Sequence, residues 1–207
     1  MDLLGDSVTV VDSTIGFRYF DVRDLLGFVD GTANPIGNAV QDSVLVAASD
    51  IQTDADAAAI NVNVGGSYIV VQKYLHDLPS WRSLSTEEQE SIIGRTKLDN
   101  IELPDYPPSH QQSHKSLNTI VDEKSGEEYD ILRDNMPFGS PAEGQFGTYF
   151  IGYSRRLWVV EKMLERMFRG EPEGKHDRIL DYSRAVTGTT FFAPARGLLE
   201  GLGDRDD

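Results

Sequence analysis

Apolar residues along this chain fall into two rhythms. The first is short and dense. After Gly65-Gly66, residues 67–74 (Ser-Tyr-Ile-Val-Val-Gln-Lys-Tyr) are rich in β-branched and aromatic side chains, which fit a pleated, half-buried surface, and they read as a strand. Residues 146–153 and 189–194 read the same way. So do residues 127–135, a strand carrying Tyr129, Ile131 and Leu132 that Met136-Pro137-Phe138-Gly139 closes. The second rhythm is helical. Leu157, Val160, Leu164, Met167 and Phe168 recur on one face, Ser154 stands ahead of them as a cap, and Gly170 and Pro172 stop the run. A second helix starts at Ser85-Thr86-Glu87-Glu88, a capping box in which Ser85 bonds forward and Glu88 bonds back; it carries Ile92 and Ile93 and fades near Gly94. Asp77-Leu78-Pro79 is a third helix start with proline in the first turn.

The remaining stretches are weaker. Residues 7–11 and 17–20 read as two brief strands, and residues 25–29 as a buried strand or the start of a buried turn. Residues 36–64 carry no motif, and 50–56 form a polar loop. Residues 100–112 are irregular, with Pro104, Pro107 and Pro108. Residues 119–121 form a short strand or turn, 177–182 a short helix, and 197–207 an acidic, frayed tail. From Gly66 onward the order is strand, helix, strand, strand, helix, strand. That is the split β-α-β order of a ferredoxin-like α+β domain, an antiparallel sheet with helices on one face. The other sheet face is then free for a cofactor or another sheet.

One stretch stands out chemically: Gly27-Phe28-Val29-Asp30-Gly31-Thr32-Ala33-Asn34-Pro35. A single carboxylate sits between glycines, beside apolar residues, and Asn34-Pro35 marks a loop because proline pushes its predecessor out of the helical region. Such a turn can present an acid to a pocket with its pKa open to tuning. It is equally a surface turn that Asp30 merely caps.

Composition narrows the chemistry. The chain has 207 residues, a formal net charge of −15 and no cysteine. Its length suits one domain, or one large domain and a fragment. Lack of cysteine excludes disulfides, thiolate-held iron–sulfur clusters, thiolate-ligated haem and cysteine zinc sites, and it fits a cytoplasmic protein. The N-terminus lacks the basic-then-apolar order of a signal peptide, and no apolar run approaches a membrane span. The acidic balance argues against nucleic acid and anionic membranes as partners.

Four histidines are present: His76, His110, His114 and His176. None has the paired helical spacing of a zinc peptidase, but one imidazole is enough to hold a haem. Taken singly, each is also an ordinary surface or capping residue. Arg133 and Asn135 are two apart, so on a strand they share a face. On the free sheet face they would point together into a pocket; on an exposed edge they are solvated polar groups.

Together these segments resemble a known family. Gly27-Phe28-Val29-Asp30-Gly31-Thr32 with Asn34-Pro35, Ser113-His114, and Leu132-Arg133-Asp134-Asn135-Met136-Pro137-Phe138-Gly139 are similar to the signature segments of dye-decolourising haem peroxidases, class B in type. Gly65-Gly66-Ser67-Tyr68 and residues 187–194 add to the likeness, which runs in order from Phe17 to Pro194. The resemblance implies one haem b per chain, with His114 as proximal iron ligand and Asp30 as distal acid. Arg133 is the implied distal arginine and Asn135 the nearby amide. An acidic partner of the proximal imidazole is implied too; Asp177 and Asp181 both suit, and such a partner makes the imidazole more anionic.

The implied reaction is reduction of hydrogen peroxide with one-electron oxidation of dyes or other bulky organic reductants. Oxidation would occur at an edge of the pocket or through a surface aromatic, for which Trp81, Trp158, Tyr149 and Tyr153 are candidates alongside plain packing roles. Family members have two ferredoxin-like domains. Residues 1–64 therefore read as a remnant of the first domain and a linker carrying the Asp30 motif, and 65–207 as the C-terminal haem-binding domain. A homo-oligomer or a partner would cover the surface that the other domain leaves open. Two other readings compete: a haem-binding, iron-releasing protein of the deferrochelatase kind, and a non-enzymatic fragment that binds a partner through its uncovered sheet.

Overall fold

The structure is a computed structural model and describes residues 4–50 and 63–202. Most of the expected polar loop at 50–56 and the end of the acidic tail lie outside the described residues. Four antiparallel strands form one sheet: β1 (Ser67–His76), β2 (Leu132–Ser140), β3 (Gln145–Ser154) and β4 (Ser183–Ala193), in the spatial order β2-β3-β1-β4. Among the described residues, six helices accompany it: α1 (Ala39–Val44), α2 (Leu78–Ser83), α3 (Thr86–Ile93), α4 (His114–Asn118), α5 (Leu157–Arg169) and α6 (Arg196–Glu200). The β-α-β-β-α-β order expected of a ferredoxin-like domain is therefore present.

Helix boundaries follow local chemistry. The Ser85 hydroxyl accepts from Glu88 N at 3.2 Å, and Glu88 Oε2 accepts from Ser85 N at 2.9 Å, so the capping box forms as expected. Gly94 ends α3 in the left-handed conformation, at φ 92°. The Asp77 side chain caps α2 by accepting from Ser80 N.

Two apolar clusters hold these elements. In the first, Val159, Val160 and Met163 of α5 pack on Val70, Ile120 and Ile131. The second joins Leu26 and Phe28 to Leu78, Trp81 and Ile92. Trp81 is its most enclosed member, and its indole N–H donates to Leu26 O at 2.9 Å. The polar atom of a large buried side chain is thereby satisfied, and the loop ahead of Asp30 is tied to α2.

Some expectations need correction. Residues 7–11 and 17–20 are not strands. Short 3-10 turns form at Gly5–Ser7 and Phe20–Val22, and the segment meets the sheet through a bridge from Gly16 to Phe138, with Phe17 N donating to Pro137 O at 2.8 Å, and through Lys73 Nζ of β1, which donates to Asp12 Oδ2 at 3.2 Å and Thr14 Oγ1 at 2.9 Å. The strand expected at 127–135 instead runs from Leu132 through Pro137 to Ser140. Proline is tolerated because β2 is an edge strand and Pro137 turns its carbonyl, and so its missing N–H, away from β3. The last strand starts at Ser183, six residues before the apolar signal at 189.

The main correction concerns the sheet face. Arg133 pairs with Gly152 and Asn135 with Phe150, and these pair in turn with Val70 and Gln72. Arg133 and Asn135 do share a face, but it is the one that α5 covers, not the free one. Spacing fixes which residues go together; only the register says with what. The far face, carrying Ile69, Val71, Met136, Tyr149, Ile151, Tyr153 and Phe191, keeps Phe191 53% exposed.

Candidate active site

The Asp30 loop is built by its own backbone. Asp24 N donates to Phe28 O, and the Asp24 carboxylate accepts from Phe28 N, both at 2.9 Å; Gly27 N donates to Asp24 O at 3.1 Å. Gly27 (φ 94°) and Gly31 (φ 71°) take conformations that a side chain would strain, and a Cβ at Gly27 would sit 2.6 Å from Lys97 Cε. Asp30 Oδ1 accepts from Gly31 N at 2.8 Å and from Asn135 Nδ2 at 2.7 Å. Burial raises the Asp30 carboxyl above its ordinary value, while the Asn135 and Gly31 bonds and the charge of Arg133 pull the other way.

Asn34 joins this loop to the sheet. Its Nδ2 donates to Arg133 O at 2.7 Å, and its Oδ1 accepts from Arg133 N at 3.0 Å. A side-chain amide thus imitates the next strand on the open edge of β2. Arg133 and Asp30 are held in one frame, although they stand 103 positions apart in the chain. Burial lowers the Arg133 guanidinium's pKa and the Asp30 charge opposes that; arginine stays protonated throughout.

His114 opens α4, where Ser113 caps by accepting from Ser116 N. The imidazole Nδ1 lies 2.6 Å from Asp177 Oδ2, and Asp177 is wholly buried. The other Asp177 oxygen accepts from Ile179 N at 3.1 Å, so this carboxylate is fixed from two sides. Of the two acidic candidates, Asp177 makes the contact; Asp181 instead lies 2.8 Å from His176 Nε2 on the surface. His114 Nε2 has no hydrogen-bond partner among the described residues.

Asp30, Arg133, Asn135 and His114 line a single cavity of about 260 Å³ between the sheet and α5. Apolar walls come from Phe150, Val160, Met163, Leu164, Met167 and Ile179. Its sheet floor adds His76 and Tyr74. His76 is bound at both nitrogens, by Ser183 Oγ at 2.8 Å and Thr148 Oγ1 at 2.9 Å, and burial pushes its pKa down to about 4, so it is neutral. The Tyr74 hydroxyl is buried without a partner, and burial pushes it up to about 12. Asp24 also lines the cavity, with its carboxyl raised by burial to about 6. The alternation along residues 70–76 signalled the two floor residues; nothing local distinguished Asp24 from other loop acids. No group of three or more His, Asp or Glu among the described residues could hold a metal ion by itself. Among those residues, no helix is long and apolar enough to cross a membrane.

The aromatic candidates separate cleanly. Trp81 is 1% exposed and packs the second core. Tyr149 and Tyr153 lie on the far sheet face, and Trp158 is 46% exposed. His110 is exposed, near Ser109 Oγ at 3.4 Å.

Comparison with known proteins identifies the family. The family model for the C-terminal part of Dyp-type peroxidases matches residues 21–197. A dye-decolorizing peroxidase of Mycobacterium tuberculosis is 52% identical over 197 residues, covering 95% of this chain and 55% of the relative. One from Rhodococcus erythropolis is 49% identical, covering 95% and 54%. A DypB variant of Rhodococcus jostii RHA1, solved in complex with haem, is 56% identical with a TM-score of 0.84 over 96% of this chain and 60% of that one. The chain thus spans about half the length of the curated relatives it matches. The chain belongs to the Dyp-type peroxidase family.

Proposed function

We propose that this chain is the haem-holding part of a peroxidase that reduces hydrogen peroxide and oxidises bulky organic reductants one electron at a time. The observation that carries the reading is the His114–Asp177 pair at 2.6 Å, facing the same apolar-walled cavity as Asp30, Arg133 and Asn135. The residues fit haem. One imidazole has Nδ1 engaged and Nε2 free, its partner is a buried carboxylate, and the cavity walls are apolar enough for a macrocycle. In this reading His114 is the iron ligand, and Asp177 holds its tautomer and makes it a stronger donor. When bound, haem would supply the redox chemistry that couples two-electron reduction of peroxide to one-electron oxidations of the reductant.

The chain's own residues manage protons and charge. Asp30 takes a proton from peroxide and returns it to the departing oxygen, as base and then acid. Its Oδ1 is held by Gly31 and Asn135, so Oδ2 is the atom left to work. Asn135 aims the carboxylate. Arg133 balances the negative charge that develops on the departing oxygen. Residues 1–64 serve as the segment that carries the Asp30 loop onto the 65–207 domain. A second copy of the chain or a partner covers the far sheet face, where Phe191 stays exposed. A chain without cysteine suits the reducing cytoplasm.

The test is an absorbance spectrum of the chain with haem, before and after one equivalent of peroxide. We expect a histidine-ligated spectrum that peroxide changes. Arg133→Leu should keep the haem and lose most of the peroxide response; His114→Ala should lose the histidine spectrum. A wild-type response in Arg133→Leu rejects the role given to it. Release of free porphyrin without peroxide would instead favour iron removal.

A further inference from the structure

Resting on the peroxidase reading, we propose that the turn of residues 95–102 positions Asp30, with Arg23 as the positioning residue that clamps the Asp30 loop to that turn. The loop is a closed hairpin. Asp30 N donates to Val22 O at 3.1 Å, and Arg23 bridges to Val29 across it. Arg23 therefore leaves the backbone opposite the residue before Asp30. Its side chain reaches three backbone carbonyls. Nη1 donates to Gly27 O at 2.9 Å and to Lys97 O at 2.5 Å, and Nη2 donates to Leu98 O at 3.1 Å. Among the described residues no backbone N–H donates to any of these carbonyls, so Arg23 supplies their bonds. A guanidinium alone has the planar fork of donors that can serve one carbonyl at the loop's tip and two on a second segment at once.

That second segment is anchored in the second apolar cluster. Lys97 N donates to Glu90 Oε1 at 2.7 Å and Lys97 Nζ to Gln89 Oε1 at 2.5 Å, both on α3. Gln89 is buried, and its Nε2 donates to Trp81 O at 2.7 Å. The turn closes on itself through Thr96 N, which donates to Ile101 O at 2.8 Å, and through the bridge of Arg95 with Glu102. It meets the loop at two further places. Lys97 Nζ lies 5.5 Å from the Phe28 ring centre, and Asn100 Nδ2 donates to Thr32 Oγ1 at 2.8 Å.

Asp30 thus stands between two fixed points. β2 holds it from one side through Asn34 and Asn135, and the turn holds it from the other through Arg23 and Asn100. The place of Oδ2, the oxygen left to work, follows the backbone of the loop. Without the clamp the loop is tied to β2 alone, its tip can swing, and water reaches the carboxylate. Displacing a reacting group by about 1 Å is enough to cost roughly a hundredfold in rate. The charges around the loop are Asp24 within it, Arg133 and Asp134 on β2, and Lys97 on the turn; a replacement of Arg23 that keeps its charge leaves all of them in place.

Arg23→Lys is that replacement: it keeps the charge and loses the fork. The experiment uses the haem-loaded chain. Stopped flow follows the absorbance response to peroxide across the acid range, and peptide mass spectrometry follows amide hydrogen exchange before peroxide is added. We expect Arg23→Lys to keep its haem and the wild-type spectrum and to slow the peroxide response by roughly ten- to a hundredfold. Its acid limb should move down, toward the ordinary carboxyl value, as water reaches Asp30. Exchange should quicken across residues 24–31 and stay unchanged across 132–140. Asn100→Gly suits the positive φ of 56° at that position and removes the Thr32 contact; it should move rate and acid limb the same way by less. An arginine with a merely structural role would lower the thermal midpoint and leave both readings where they are. A wild-type rate and acid limb in folded Arg23→Lys therefore overturns the proposal. If Arg23→Lys does not fold, Asn100→Gly decides, and a wild-type rate and profile there overturns it too. A wild-type haem that does not respond to peroxide overturns the peroxidase reading and the role of Arg23 with it.

Discussion

Asp30 works under two opposed pulls: burial favours its neutral form, and the Asn135 and Gly31 donors favour its anion. The net shift is upward from 3.8, which sets a sign for the pH profile. A base must be ionised to accept a proton, so the peroxide reaction should weaken as pH falls through the raised Asp30 value and hold steady above it. Stopped-flow rates against pH test this, and Asp30→Asn should abolish the dependence together with most of the rate. Asp24 gives a second prediction of opposite character. Its folded-state value of about 6 lies above the ordinary 3.8. Its contribution to stability is therefore fully present below 3.8 and lost as pH rises through about 6. Asp24→Asn keeps an acceptor for Phe28 N and removes that loss, so its thermal midpoint should exceed wild type at pH 7 and converge with it at low pH. Equal midpoints at pH 7 would refute the burial argument. At this scale the sequence was informative where spacing alone decides, as for Arg133 with Asn135. It could not choose between Asp177 and Asp181, because only burial separates them.

The elements most legible in advance were those with strong local signals: β1, the capped α3 and the amphipathic α5. Those that failed depend on a neighbour. Residues 7–11 have strand composition but pair with no strand; the segment's bridge to β2 falls later, at Gly16 opposite Phe138. The sheet face used by the site was also invisible, because register is a property of two strands together. Asn34 shows how much one element junction can carry. Its two bonds to Arg133 are the chief link between the Asp30 loop and β2, beside Asn135 to Asp30. Each such bond contributes about 1 kcal/mol net. We expect Asn34→Ala to lower stability by ~1–3 kcal/mol in urea unfolding and to slow the peroxide reaction more than it weakens haem retention. A variant that unfolds earlier but reacts at the wild-type rate would reduce Asn34 to a purely structural role.

Across the whole molecule, the cavity lies where the two apolar clusters meet, so a bound group should brace both. Haem present at about 100 times its dissociation constant adds ~2.7 kcal/mol to the folded state by mass action. The thermal midpoint of the wild type should therefore rise with haem, and His114→Ala should lose most of that rise; an equal rise in both would move the main attachment away from His114. The contacts that frame the site also join distant parts of the chain: Asp30 meets Asn135 across 105 positions, and His114 meets Asp177 across 63. Closing such long loops is entropically slow, and local helices can form well before it happens. Refolding should thus show its helical signal first and its capacity to capture haem only afterwards, which makes cofactor uptake a late event in the maturation of the polypeptide.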